Sequence, residues 1–318
     1  MVESEHRGHL VVLGPSGDVR ARVGTPDAAV WVRSSLKPLQ AVAMVRAGLQ
    51  VDEAGLALVC ASHGGTSEHL AVVRAILAGV GLVPADLQNT PDLPLDVEAA
   101  FAWRSSGGVP SSVTQNCSGK HAGMLATCVA AGWDTSSYLD PAHPLQQAVR
   151  EVVQELTGVP VQHVTVDGCG APLPSTTVAG LARAFARIAR APSAAPGSAE
   201  ARVALAMARH PRLVGGPGRD VTDFMKAVGG MVAKDGAEGV YAAGLADGSA
   251  VAFKIADGSA RPRAAVLAAA LGLVLDDPVA RDRVLALGRT PVLGQGKPVG
   301  EVVAVLGVGS PVDGGSVA

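Results

Sequence analysis

Strand-like segments lie at the two ends of this 318-residue chain and helical ones fill its middle, which excludes most architectures. His9-Leu10-Val11-Val12-Leu13, a turn at Pro15-Ser16-Gly17-Asp18 and a run over 19–23 read as an opening hairpin. Near the other end, 240–245, a turn at Asp247-Gly248 and 251–255 read as a second hairpin, with 302–306 as a last strand. No strand–helix alternation of the parallel-sheet kind runs through the chain, and no internal repeat is present. The expected fold class is therefore α+β: an antiparallel sheet from both chain ends, flanked by helices, with a helical part covering a cleft. The expected division is one unit with a body at about 1–60 and 210–318 and a helical part at about 61–209.

The helices follow from apolar spacing and its punctuation. A segment over 38–47 carries Ala41, Val42, Met44 and Val45 and closes at Gly48. Ser67 is positioned to cap a helix bearing Leu70, Val73, Ile76 and Leu77, ending at Gly79. Pro84, Pro91, Pro94 and Pro110 mark 82–112 as extended or looped. Met124, Leu125 and Cys128 belong to a helix ending at Gly132, and Pro144 opens another whose stripe is Leu145, Val149, Val152 and Leu156 before Gly158. After a short strand at 164–166 comes a helix with Val178, Leu181, Phe185 and Ile188, then a linker over 192–198. Phe224, Met225 and Val228 mark a further helix, and Pro262 opens a long apolar one.

Within that frame the stretch that carries chemistry is Arg33-Ser34-Ser35-Leu36-Lys37-Pro38. Residues three apart on a helical turn share a face, so the Ser34 hydroxyl and the Lys37 amine are placed to meet. A serine hydroxyl becomes a useful nucleophile when a neighbouring base takes its proton, and a lysine serves as that base when its surroundings favour the neutral amine. Ser35 faces elsewhere, and Lys37, before a proline, is expected at the helix boundary. Ser-x-x-Lys alone is a weak signal, since most copies are solvated helix entries. Four further polar turns sit at element boundaries, at 62–65, 115–121, 167–170 and 234–239, where side chains can converge without filling the core. Lys234-Asp235-Gly236 reads as preceding its strand. Cys60 and Cys128 lie inside apolar runs and read as buried small hydrophobes, whereas Cys117 and Cys169 stand in glycine-bearing loops, where free thiols and metal ligands are equally natural.

Composition narrows the classes. Charged residues are 17% and the net charge is -2, with no lysine–arginine block, which argues against nucleic acid as a partner. The longest apolar run, 264–275, is too short for a bilayer, which needs about 20 residues. The N-terminal residues are polar and acidic, and four cysteines are few for the length; both features lead to the expectation of a reducing, cytoplasmic setting without membrane attachment.

Taken together, Arg-Ser-Ser-x-Lys-Pro-x-Gln (33–40), Ser-His-x-Gly (62–65), Asn-Cys-Ser-Gly-Lys-His (116–121), Asp-Gly-Cys-Gly-Ala-Pro (167–172) and Lys-x-Gly-Ala-Glu-Gly (234–239) resemble the serine-type L-asparaginases of the rhizobial kind, in that family's order. The resemblance implies a serine β-lactamase/glutaminase-like fold and hydrolysis of L-asparagine to aspartate and ammonia. It implies Ser34 as nucleophile with Lys37 as its base, and Ser62 with Lys234 as a second serine–lysine pair. It places Arg33, His121 and Asp167 around the substrate and makes Cys117, Lys120 and Cys169 zinc ligands, with the metal's role, catalytic or modulatory, left open. It also implies a homodimer. Thr66 and Ser67 stand where the family usually has a glutamate after Ser-His. Two other readings compete: a serine acyl hydrolase acting on β-lactams or peptides, and a zinc-containing amino-acid-binding module without turnover.

Overall fold

The computed structural model describes residues 1–307. β1 (Gly8–Leu13) and β2 (Val19–Val23) form the expected opening hairpin. A two-residue strand, β3 (Ala29–Val30), precedes a 3-10 turn, Arg33–Leu36, that runs directly into α1 (Lys37–Arg46). Lys37 is the first residue of α1, as the following proline requires, and Pro38 falls where no N–H is needed. The Asp52 carboxylate caps α2 (Glu53–Val59) by accepting from the Gly55 N–H. Thr66, not Ser67, is the cap of α3 (Ser67–Ala78).

The stretch 82–112 departs from its expected looped form: α4 (Val97–Ser105) lies inside it, capped by Asp96 accepting from the Ala99 N–H. The prolines bracket this helix without entering it, so they mark its flanks rather than forbid it. α5 (Ser118–Ala131) and α6 (Pro144–Thr157) end at the left-handed residues Gly132 and Gly158. β4 (Val164–Val166) pairs with β5 (Pro172–Pro174), and β6 (Thr176–Thr177) pairs with β3. α7 (Val178–Ala194) runs through Pro192, shortening the expected linker to the residues before α8 (Ala199–Arg209). α9 (Pro211–Val214) and α10 (Asp220–Ala227) lead into β7 (Val232–Gly236), β8 (Val240–Gly244) and β9 (Ala250–Ile255).

α11 (Arg263–Leu271) and α12 (Pro278–Leu287) follow, then a separate hairpin, β10 (Pro291–Gly294) and β11 (Lys297–Glu301). The strand expected at 302–306 is absent; the pairing lies just before it, hidden in the sequence by its glycines and prolines. Gln295 and Gly296 turn this hairpin with φ of 49° and 74°, the double left-handed geometry that matches strand twist.

The five-stranded antiparallel sheet has the order β2-β1-β9-β8-β7, so the N-terminal hairpin adds directly to strands contributed from beyond residue 230. Leu10 stands opposite Phe253 across β1 and β9, and Phe253 opposite Tyr241 across β9 and β8. The α+β class and the two-ended sheet hold. Every residue of β7 and β8 is buried, because helices cover the sheet: α7 packs on β1, β8 and β9, and α11 on β8 and β9. α7 thus packs on the sheet although it comes from the stretch 61–209. Phe185 of α7 and Phe253 are essentially shut off from solvent, each burial contributing about 2–3 kcal/mol.

β7 closes the sheet at one edge, and that edge positions the site. The 3-10 turn lies along it, with the Ser35 hydroxyl donating to the Lys234 carbonyl at 3.0 Å. The approach is close: a Cβ on Gly236 would come within 2.8 Å of the Val32 carbonyl oxygen, so only glycine lets the turn sit there.

Candidate active site

The turn that carries Ser34 is strained at its first residue. Arg33 has φ of +50°, an uncommon conformation for a side chain of its size, and it swings the chain into the helical geometry of Ser34–Leu36. Ser34 is half-buried, while Ser35 is fully buried against β7. Lys37, only 1% exposed, sends its Nζ to the Ala61 carbonyl at 2.6 Å and to the Ser62 Oγ at 3.0 Å. Ser62 itself is held in the loop after α2, its N–H donating to the Val214 carbonyl.

Lys234 lies on β7, not before its strand, and is 0% exposed. Its Nζ donates to the main-chain carbonyl of Asp235 at 2.7 Å and to the Asp235 carboxylate. The structure therefore joins Lys37 to Ser62 and Lys234 to Asp235. Among the described residues, neither Ser34 and Lys37 nor Ser62 and Lys234 share a side-chain hydrogen bond, so the expected serine–lysine pairs are not formed as pairs here. The reason is reach: Nζ of Lys37 extends past the 3-10 turn to the 61–62 loop, and Nζ of Lys234 folds back to its own neighbour.

The electrostatics of this corner are set by burial and five charges. Burial lowers the pKa of Lys234 to about 8; Asp235 opposes the shift, and the positive charge of Lys37 adds to it. Burial would raise the Asp235 carboxyl, but Lys234, Arg219 and Arg263 together hold it well below the usual carboxylate range. Arg219 donates to Asp235 at 2.7 Å, and Arg263 lies 3.6 Å away. Asp235, Arg219 and Arg263 were not singled out in the sequence; the Lys-Asp dipeptide inside the 234–239 motif is the only signal that marked any of them.

Across the site, Arg33 donates through Nε to Asp167 at 2.7 Å. Burial works to raise the Asp167 carboxyl, and Lys120 and Arg33 outweigh it, leaving the pKa lowered. An ion pair with both partners partly exposed presents one cation and one anion side by side, as the carboxylate and ammonium of an α-amino acid require.

His121 is buried, and that burial keeps its pKa well below the ordinary imidazole value. Its Nδ1 lies 2.8 Å from the Tyr138 hydroxyl. His63 is likewise buried with a lowered pKa, stacked on His69 at 5.2 Å. The Ser118 hydroxyl donates its one proton to the Val113 carbonyl, so His63 Nε2, 2.9 Å away, must be the donor to Ser118. Ser118 and Tyr138 are further residues that spacing alone did not mark.

Cys117, Lys120 and Cys169 do converge. Lys120 Nζ donates to the Cys169 sulfur at 3.0 Å. The neighbouring Cys117, whose own thiol donates to Asn116 Oδ1 at 3.2 Å, brings Cys169 down to about 5, with the Lys120 charge assisting and burial opposing. The neighbouring Cys169 and burial push Cys117 up to about 12. Burial would lower the Lys120 amine, but the two sulfurs raise it. Cys117, Lys120 and Cys169 thus form one buried cluster in which the lysine amine faces sulfur. No group of three or more His, Cys, Asp or Glu side chains is arranged for a metal among the described residues, so any metal here needs the lysine amine. Two sulfurs and a nitrogen within one buried pocket fit Zn²⁺, whose binding would displace the protons those groups carry. Two surface cavities of about 290 and 480 Å³ lie on the helical part, near Val149 and Trp133 respectively, and none of the site residues lines them.

A family model for L-asparaginase II matches residues 1–304. Among solved structures the chain is similar to a putative beta-lactamase from Bacteroides dorei, with 17% identity, a TM-score of 0.43 and coverage of 78% of this chain and 84% of that one. It is similar to Mglu in its tris and glutamate form, with 15% identity and a TM-score of 0.45 over 86% of this chain and 61% of that longer one. A beta-lactamase from Mycobacterium bovis shows 18% identity and a TM-score of 0.43 over 88% and 94%. At these scores the likenesses carry no argument about chemistry. No curated protein matches the chain. No helix among the described residues is long and apolar enough to cross a membrane.

Proposed function

The chain belongs to the L-asparaginase II family and is an amidohydrolase, and from that premise we propose that it hydrolyses L-asparagine to aspartate and ammonia through a serine nucleophile. The observation that carries the mechanism is the buried Lys37 Nζ, hydrogen-bonded to Ser62 and one turn from Ser34. In this reading Ser34 Oγ attacks the side-chain amide carbon as its proton passes to the Lys37 amine. Ser62, already on Lys37, relays that proton to the leaving nitrogen. Ammonia departs, a β-aspartyl ester of Ser34 remains, and water hydrolyses it by the reverse relay. Lys234 acts by charge on the relay. Arg33 takes the substrate carboxylate and Asp167 its ammonium group, each exchanging part of its bond to the other. His121 stands beside them.

The proposal includes zinc held by Cys117, Lys120 and Cys169. Bound there, the metal neutralises the thiolates and ties the 117–121 segment to the 167–169 loop, which carries Asp167. About one zinc per chain is expected by elemental analysis of protein purified without chelators, and none in a Cys117→Ala/Cys169→Ala double variant. Zinc-free wild-type protein would leave these cysteines as structural thiols. A homodimer in the cytoplasm completes the reading, in keeping with four free buried cysteines.

The test of function is ammonia release measured side by side on asparagine and glutamine, with hydrolysis of a chromogenic cephalosporin followed in parallel. Turnover of asparagine is expected. Hydrolysis of the cephalosporin alone would make the protein a β-lactam acyl hydrolase, and binding of asparagine with no product would make it a binding module.

A further inference from the structure

We infer that Tyr138 is a positioning residue that fixes the tautomer of His121, so that His121 presents an Nε2–H donor to an oxygen of the bound amino acid. The inference rests on the amidohydrolase reading of the site for its substrate, and on hydrogen-bond accounting for the rest.

Tyr138 lies in the segment between α5 and α6 and is fully buried. Its hydroxyl oxygen accepts from the Gln88 backbone N–H at 3.1 Å, a group that can only donate. The hydroxyl therefore still has its own proton to place. The other partner within hydrogen-bond distance among the described residues is His121 Nδ1, at 2.8 Å. If His121 carried its proton on Nδ1, two donors would point at the tyrosine oxygen and the hydroxyl proton would be buried with no acceptor. If Tyr138 donates to Nδ1, every group in the chain Gln88–Tyr138–His121 is satisfied. The second arrangement puts the imidazole proton on Nε2.

Nε2 of His121 is shut off from solvent and has no hydrogen-bond partner among the described residues. A buried polar atom without a protein partner calls for one from outside the chain. His121 follows Lys120, whose Nζ reaches Cys169, and Cys169 lies two residues from Asp167, so the open position belongs to the site. An N–H there serves a carbonyl, carboxylate or oxyanion oxygen, and it does not serve as a proton acceptor for a serine. The contrast with His63 is instructive. Its Nε2–H is committed to Ser118, so its free atom, Nδ1, is an acceptor, also buried and unpartnered. One hydroxyl and one histidine make a donor in the first case and an acceptor in the second, because Tyr138 has a proton to give and Ser118 has already given its own.

The tautomer is read directly from ¹⁵N-histidine-labelled full-length protein by long-range ¹H–¹⁵N correlation, with His121 assigned by its loss in His121→Gln. A proton on Nε2 and a bare Nδ1 are expected. A proton on Nδ1, or on both nitrogens, overturns the inference. This readout needs no substrate, so a protein that releases no ammonia from asparagine overturns the activity and not the assignment. Kinetics supply the functional half. Tyr138→Phe is expected to mix the tautomers and lower kcat/KM by about tenfold, the scale of one hydrogen bond. In the His121→Gln background, where the side-chain amide keeps an N–H near the Nε2 position without help, the same substitution is expected to cost little further. Equal losses in both backgrounds, with the His121 tautomer unchanged in Tyr138→Phe, would make Tyr138 a packing residue and overturn its positioning role.

Discussion

Ser34→Ala is expected to lower asparagine turnover on the order of 10⁴-fold or more, the usual cost of removing a nucleophile whose partners remain. Ser35→Ala, one residue away, is expected to keep most of the activity. The two serines differ by geometry, not by type. Ser34 is half-buried on the turn that leads to Lys37, whereas Ser35 spends its hydroxyl on the Lys234 carbonyl at the free edge of β7. Losing that bond costs about 1 kcal/mol of stability and touches catalysis only through the seating of the turn. The measurement is ammonia release, joined to mass spectrometry of protein quenched during turnover, where the added mass should sit on the peptide containing Ser34. Because Lys37 contacts Ser62 and not Ser34 in the substrate-free protein, Ser62→Ala is the decisive companion. Near-normal rates in Ser34→Ala, with the acyl group found on Ser62, would exchange the roles of the two serines.

That exchange is a live test because the sequence reveals which residues assemble more readily than it reveals which atoms touch. The motifs at 33–40, 62–65, 116–121, 167–172 and 234–239 lie on different elements, yet the fold gathers Ser62 to Lys37, Asp167 to Arg33, and Cys169 to Lys120. Helix ends are equally legible where a left-handed glycine stops the helix, as at Gly132 and Gly158. Pairing within the gathered set is not legible. A lysine side chain spans more than one turn of helix, so an i, i+3 spacing permits a contact with Ser34 without requiring it. The strand position of Lys234 is hidden because Asp235 and Gly236 look like turn residues. In the fold, Asp235 is held in a buried place by three cations and Gly236 is forced by the closeness of Val32. Proline density masks α4 despite the Asp96 cap, and glycine content masks the β10–β11 hairpin. Tyr138 leaves no trace in the sequence at all: its part depends on a long-range meeting with a backbone N–H and a histidine.

Lys234→Met is the second substitution expected to act strongly, and its effect should depend on pH. In the wild type, burial and the charge of Lys37 bring Lys234 down to about 8 against the pull of Asp235. Two buried lysines that feel each other release their protons in steps that belong to the pair, so one proton should leave the site near that pH. Wild-type activity is therefore expected to rise with pH along a limb centred at about 8 that belongs to the pair. A methionine side chain in place of the lysine keeps the length and apolar stem but removes one positive charge. Asp235 retains Arg219 and Arg263, so the variant is expected to fold without an orphaned carboxylate. Stability should move in a definite direction too. A lysine with a lowered folded pKa binds fewer protons folded than unfolded between about 8 and its ordinary value, so its presence penalises the native state below that window. The Lys234→Met substitution relieves that penalty, and the gain in stability over wild type should be largest at neutral pH. In activity the sign is opposite: with one of the two coupled charges gone, the limb that belonged to the pair moves to higher pH. Each unit of that movement corresponds to about 1.4 kcal/mol of lost charge–charge coupling. Rates at neutral pH should fall by roughly tenfold per unit of displacement and recover on the alkaline side. This outcome follows from where the atom is: Lys234 Nζ rests on Asp235 and makes no hydrogen bond to Ser62, so charge is the means by which it acts on the relay. A Lys234→Met enzyme equally inactive at every pH would instead require the ammonium to leave Asp235 and donate a proton itself during the reaction. An unshifted limb with a near-normal rate would remove Lys234 from the mechanism.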